Sequence, residues 1–268
     1  MAISVEQGVP IVRQAASYIQ GIIPTNNATT PNTKIDLSPG VCADQYNVYD
    51  INLGSYNVIA LQGNVTTINA ANVGLNGIDS GALAASTVYK IYVVADSVSG
   101  NTTGAVVSLN IPSVGPLMPF GYNIYRLVGY AVTDASSHFL LMDVAAGITF
   151  AGQNNPRLFT FQAPQATNIT AGSSTSYADV TTSALLPDAA NTIALVNANF
   201  VPNAASDTAN IIGKGNTGDF TLIIGQVAAV HIAQQLLIPV PQVSATKLQY
   251  KVSAGTLAVN IAGFYFNV

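Results

Sequence analysis

Apolar and polar positions alternate along most of this chain with the period of two that a half-buried strand requires. Over 88–94, Tyr89, Ile91 and Val93 fall on one face. Ala105, Val107, Leu109 and Ile111 alternate with Val106, Ser108 and Asn110. In 122–132, Ile124, Val128, Tyr130 and Val132 share a face with Arg126, and 138–144 adds a fourth strand to the same unit. Turn residues separate these runs. Gly74, Asn76, Gly77, Asp79, Ser80 and Gly81 lead into the first, and a loop with three Pro over 112–121 precedes the third. Upstream, 45–53, 57–61 and 65–68 read as shorter strands. Downstream, strands fall near 176–180, 193–201, 209–212, 220–224, 230–238, 248–252 and 257–266. Their regular spacing predicts a β-sandwich, with jelly-roll topology as the first choice.

One stretch departs from this period. Val9, Val12, Ala16, Ile19 and Ile23 recur at helical spacing, Pro10 suits a first helical turn, and Gly21 and Pro24 close the run. A helix over 9–23 is expected, either capping the first sheet or serving as a docking or oligomerising segment. Residues 24–40 read as a polar connector punctuated by Pro, and 145–160 as an inter-domain linker with Gly and Asn-Pro signals. The expected organisation is all-β: an N-terminal helix and connector (1–40), a β-rich domain (41–148), and a jelly-roll-like sandwich (149–268).

Composition sharpens this picture. Charged residues make up 7% of the 268, against roughly 25% in an ordinary soluble domain. Glu6 is the one Glu, and Asn, Thr, Ser, Gln and Gly carry the polar load. Hydrophobic residues reach 49%, yet no run approaches the roughly 20 apolar residues of a membrane span. Net charge is −4 with eight scattered Lys and Arg, so neither nucleic acid nor an anionic membrane is an expected partner. Cys42 stands alone, which leaves no intrachain disulfide and no thiolate cluster. The segment Met1–Glu6 has no charged and apolar leader pattern, so synthesis and folding in a reducing cytoplasm are expected. Two β-domains with so few charges would expose many Ala, Val, Thr and Tyr side chains and blunt few sheet edges. Much of that surface is therefore expected to lie against other chains.

The residues that carry chemistry are sparse. His138 and His231 are the two histidines, one opening a strand and one inside an apolar run. No Gly-x-Ser-x-Gly elbow occurs, and no carboxylate spacing suggests a glycosidase pair. Asp36, Asp44 and Asp50 lack the spacing of a calcium loop, and no His or Cys pattern fits zinc. Gly213-Lys214-Gly215 lacks the rest of a phosphate loop and reads as a hairpin. Sequons at Asn27, Asn64, Asn101 and Asn168 follow from the abundance of Asn and Thr. Sugar sites commonly stack a pyranose on an aromatic face. This chain has no Trp, and Tyr89, Tyr92, Tyr125 and Tyr130 fall inside strands as packing residues. An Arg inside a strand, as at Arg126, reads as an interface or salt-bridge partner. No catalytic, cofactor-binding or metal-ligating residue is assigned.

Several segments together resemble a module of tailed-phage virion proteins. They are Gly74-Leu75-Asn76, Ala85-Ser86-Thr87 into 88–94, Pro116-Leu117-Met118-Pro119-Phe120-Gly121-Tyr122, Arg126-Leu127-Val128-Gly129, Thr133, and His138-Phe139-Leu140. The match covers about 70–145, with Val88 standing where an aromatic, often Trp, is common. Tyr250 to Leu257, running into a Gly-aromatic strand, also resembles the close of phage-virion sandwich domains. The resemblance implies a non-enzymatic virion structural protein, made in the host cytoplasm and assembled as a homotrimer with major capsid or tail proteins as partners. Two versions stay open: a capsid decoration or cement protein, favoured by the lack of a heptad shaft, and a short tail fibre or appendage that binds a host surface glycan. A polysaccharide-degrading enzyme is the competing reading from another class.

Overall fold

A computed structural model describes residues 4–6, 9–11, 18–57, 60, 62–98, 102–146, 156–162, 169–182, 185–189, 192–215, 223–225, 227–240 and 247–267. Strand follows strand, with no helix among the described residues. The first half holds β1 (Ser4–Glu6), β2 (Val9–Ile11), β3 (Ile19–Gly21), β4 (Pro24–Asn26), β5 (Lys34–Leu37), β6 (Gly40–Ala43), β7 (Asp50–Leu53), β8 (Thr66–Asn69), β9 (Gly77–Ile78), β10 (Val88–Ala95), β11 (Thr103–Ser108), β12 (Ile124–Val132) and β13 (Met142–Ala145). The second holds β14 (Pro156–Phe161), β15 (Ile169–Gly172), β16 (Ala178–Val180), β17 (Ile193–Val201), β18 (Thr208–Gly213), β19 (Ile223–Ile224), β20 (Ile232–Pro239), β21 (Leu248–Val252) and β22 (Thr256–Asn267).

The sheet β12-β10-β11-β9 is the middle layer of the first half. Both of its faces are covered, which is why β10 and β12 are buried almost throughout. One face carries Tyr89, Ile91, Val93 and Arg126. It meets the small sheets β3-β6-β7 and β4-β5-β8, where Pro24 packs over Gly129. The other face carries Lys90, Tyr92, Tyr125 and Tyr130. Tyr130 sits edge-on to Phe264 at 5.9 Å and to Phe266 at 4.9 Å, both on β22. Two further sheets follow, β13-β14-β22-β17-β20 and β16-β21-β18-β19, with β15 also paired to β22. Alternate residues of β17 (Ala194, Val196, Ala198, Phe200) and β22 (Leu257, Val259, Ile261) point into one apolar cluster that runs on into the first half.

Five expectations change. The helix over 9–23 is replaced by strands at both described ends: Ser4–Glu6 pairs with Val9–Ile11, and Ile19–Gly21 with Gly40–Ala43. Residues 12–17 lie outside the described set. The apolar positions at helical spacing are mostly β-branched, and ladder bonds outweigh so weak a periodic signal. The connector 24–40 is ordered as β4, β5 and the start of β6; Pro24 opens β4, where a missing N–H does least harm. Within the linker 145–160, Pro156–Phe161 is β14, paired on both sides. The fourth strand of the first unit lies elsewhere too: β13 pairs with β14, and only a Thr133–Phe139 bridge ties that segment to β12. A bulge also changes which residues share a face on β12. The register shifts between Ile91 and Tyr92, skipping Val128, so Arg126 lines up with Gly129 and Ala131 rather than with Tyr130 and Val132.

Candidate interaction surface

The residues singled out in the sequence do not converge. Arg126 is buried, with Nη1 3.5 Å from Asp44 O and Nε without a partner. Among the described residues no carboxylate reaches ion-pair distance of it. Cys42 lies fully buried near Arg126 and Arg157; burial pushes its thiol up to about 12, against the pull of both guanidinium groups. The Asp44 carboxylate accepts the N–H groups of Tyr46, Val48 and Tyr49 at 3.3, 2.6 and 2.9 Å. Asp36 accepts from Asn27 Nδ2 (2.9 Å) and Thr67 Oγ1 (2.6 Å), while Asp50 is exposed on β7. No three metal-ligating groups gather among the described residues. His138 faces Asp134 at 3.8 Å on the surface, and His231 Nδ1 lies 3.3 Å from Asn199 Oδ1. Lys214, in the Gly213–Gly215 turn, pairs with Asp179 at 2.7 Å and holds that carboxyl below the usual range. Tyr89 accepts the Ala84 N–H through its hydroxyl (2.7 Å), and Tyr92 donates to Asn110 O (2.8 Å). Asn27 closes a turn onto Thr29 and Thr30, and Asn64 is exposed. Asn101 and Asn168 fall outside the described residues.

Arg157 was hidden in the sequence by its linker-like neighbours. It is 3% exposed and donates to three carbonyls: Ile22 O (2.6 Å) and Val128 O (2.9 Å) through Nη1, and Gly21 O (2.9 Å) through Nη2. Gly21 and Ile22 have φ of 70° and 53°. That region is open to Gly but costly for a β-branched residue, so the guanidinium and the burial of Ile22 hold a strained turn in place. Lys90 and Lys247 are buried as well. Lys90 Nζ donates to Leu109 O (2.9 Å); Lys247 Nζ donates to Leu186 O (2.6 Å) and pairs with Asp188 at 3.2 Å. Burial lowers both ammonium groups below their ordinary range. At least four of the eight Lys and Arg are therefore inside, and the outer surface is poorer in charge than the composition implies.

Large apolar side chains occupy that surface instead. The loop after β11 exposes Ile111, Val114, Leu117 and Phe120, and Tyr46 is exposed on the turn after β6. The loop is fixed rather than free. Tyr125 donates from its hydroxyl to Pro112 O (3.1 Å), and Gly115, at φ 78°, lies so close to the Tyr125 ring that a Cβ would strike it. Leu117 N donates to the buried Asp79 carboxylate (2.9 Å), and Tyr46 leans edge-on to Tyr125 at 6.3 Å. A surface set by such bonds presents its apolar groups without an ordering cost on contact.

The second feature is the outer face of the sheet that ends in β20. Register places Asn260 on β22, Asn197 on β17 and Gln235 on β20 side by side in one row. Gln235 Nε2 donates to Asn197 Oδ1 (3.1 Å), and Asn260 Oδ1 is buried with no hydrogen-bond partner. Asn199, Ala233 and Ala258 complete a shallow groove of about 470 Å³ around the row. The chain matches no family model, no curated protein and no solved structure. Its chemistry is therefore read from these groups alone: apolar side chains, neutral amides and open strand edges, which make contacts by shape and hydrogen bonding.

Proposed function

We propose that this chain is a non-enzymatic structural protein of a tailed-phage virion surface, acting as a homo-oligomer that binds its neighbours through contact area. The observation that carries the reading is the locked loop holding Ile111, Val114, Leu117 and Phe120 in water, with Tyr46 against its anchor Tyr125, on a molecule that buries at least four of its eight cations. Several large apolar groups exposed on one loop suit a protein contact site. The resemblance of 70–145 to virion modules names the kind of partner: a major capsid or tail protein, with three copies of this chain as the expected oligomer. Strand order supports the jelly-roll reading of the second half, since β14-β22-β17-β20 and β16-β21-β18-β19 follow the two four-strand sheets of that fold. Jelly rolls occur in viral capsid proteins and in lectins. A capsid decoration protein is the first version. A short tail fibre that binds a host glycan is the second, favoured by the amide-lined groove at Asn197, Gln235 and Asn260.

Imaging virions that lack the protein separates the two. Fragile heads are expected for decoration; intact heads with failed adsorption would move the assignment to the tail. Sedimentation of the purified chain at micromolar concentration is expected to give an oligomer, and a lone monomer there would sink the proposal. Turnover of host polysaccharide would replace it with an enzyme.

A further inference from the structure

We infer that β20 is a seam between copies of this chain: two β20 strands pair antiparallel about a two-fold axis and join their sheets edge to edge. The inference rests on the homo-oligomer reading above and goes beyond it in naming the contact. Among the described residues β20 pairs with β17 alone, so its other edge offers unpaired N–H and C=O groups. Edges of this kind are ordinarily blunted by charge, a bulge, an internal Pro or a covering segment. Here the sequence is Ile-Ala-Gln-Gln-Leu-Leu-Ile-Pro, without a charge, and its pairing with β17 runs from Ile193↔Pro239 to Phe200↔Ile232 without a register shift. Pro239 stands at the very end.

The register follows from the faces. For two copies to keep the same face of the sheet outward, a residue must stand opposite its own counterpart. Centring the axis on Gln235 aligns Ile232 with Ile238 of the second copy and leaves Pro239, which has no N–H to give, outside the ladder. Ala233 then faces Leu237, and the exposed Gln234 faces Leu236. On the outer face the row Asn260–Asn197–Gln235 continues into the same row of the second copy. A primary amide carries both donors and an acceptor, so Gln235 can pair with itself across the axis, as a Lys or Asp could not. Half-exposed Leu237 and the partly exposed Ile232 and Leu236 gain cover at the same time. Being two-fold, this seam is distinct from any three-fold contact and would link copies of neighbouring trimers.

The test uses the full chain and three single variants. Gln235→Lys sets two ammonium groups opposite each other on exposed positions and is expected to weaken the two-fold association by about tenfold or more. Gln235→Cys, treated with a short bis-maleimide, is expected to give a covalent dimer; Val98→Cys, also exposed but on the turn after β10, is not. Cys42 is fully buried and stays silent in the folded protein. If the wild type is an oligomer whose mass Gln235→Lys leaves unchanged, and Gln235→Cys cross-links no better than Val98→Cys, the seam is wrong while the contact-protein reading stands. A wild type that sediments as a monomer overturns both.

Discussion

β12 and β20 are both edge strands of comparable length, and the chain treats them in opposite ways. Every residue of β12 is buried, whereas five of the eight in β20 are exposed. The outer edge of β12 is closed from within: Gln45 N donates to Tyr125 O (2.7 Å), Arg157 Nη1 to Val128 O (2.9 Å) and Leu140 N to Val132 O (2.8 Å). No described backbone group does this for β20. The same contrast appears in the charges. Arg126 and Arg157 lie buried beside β12's bulge and edge, while β20 carries no charge at all. A sheet edge must be satisfied either by its own chain or by another, and charge repulsion is the usual guard when neither happens. Two buried cations, Arg126 and Arg157, lie at the edge that the chain closes, and the other edge is left unguarded.

The sharpest way to break the contrast is to open β12. Arg157→Ala removes the donor to three carbonyls and leaves a cavity beneath the Gly21–Ile22 turn. Buried groups left unpaired cost more than the bond was worth, so a loss of roughly 3–5 kcal/mol is expected. Urea unfolding reads it directly, as a lower midpoint at constant slope. Arg157→Lys keeps a charge but not the planar fork, and should recover only part of that loss. A loss under about 1 kcal/mol for Arg157→Ala would mean that the carbonyls find other donors.

Why the two edges differ was only partly legible in the residues. β10, β17 and β22 stand out as long runs rich in apolar and β-branched residues, and β21 by its strict alternation. The covering of β12 was not visible, because it depends on contacts distant in sequence. Arg157 meets Ile22 across 135 positions, and its own strand follows a stretch whose Asn-Pro signal reads as a linker. The bulge at Val128 defeats a period-two reading of Arg126, since one unpaired residue swaps every later side chain to the other face. For the uncharged strand at 230–238 the composition was plain, but its position at the end of a sheet is a property of topology. The groove at Asn197 and Asn260 was invisible for the same reason: three strands far apart in sequence supply one row.

Cys42 reports how dry the covered side is. Its thiol, raised to about 12 by burial, stays protonated in the folded chain where an unfolded thiol ionises near 9. The unfolded state therefore binds fewer protons above that value, and stability falls as pH rises from about 9 towards 12. Between about pH 8 and pH 10, this one group should cost about 1.4 kcal/mol. Tyr side chains of the unfolded chain ionise near the same range, so the measurement is a difference. Cys42→Ala should lose less stability than the wild type over that interval, by about the same amount, in matched urea titrations. Equal losses would mean that water reaches the thiol and that the region beside Arg126 and Arg157 is not dry.

The smallest effect belongs on β20, and it completes the contrast. Gln235→Lys replaces one exposed side chain and removes a surface hydrogen bond to Asn197. With copies kept apart by dilution, the change in unfolding free energy should stay within about 0.5 kcal/mol, the usual range for open positions. At concentrations where the wild type associates, the same variant should appear less stable than the wild type. Binding between folded copies stabilises them in proportion to concentration, and the variant lacks that contribution. A change above about 1 kcal/mol at high dilution would place Gln235 in the fold's own support rather than at a seam. The concentration dependence of the difference, more than its size at any one point, therefore decides whether β20 is an edge left for another chain.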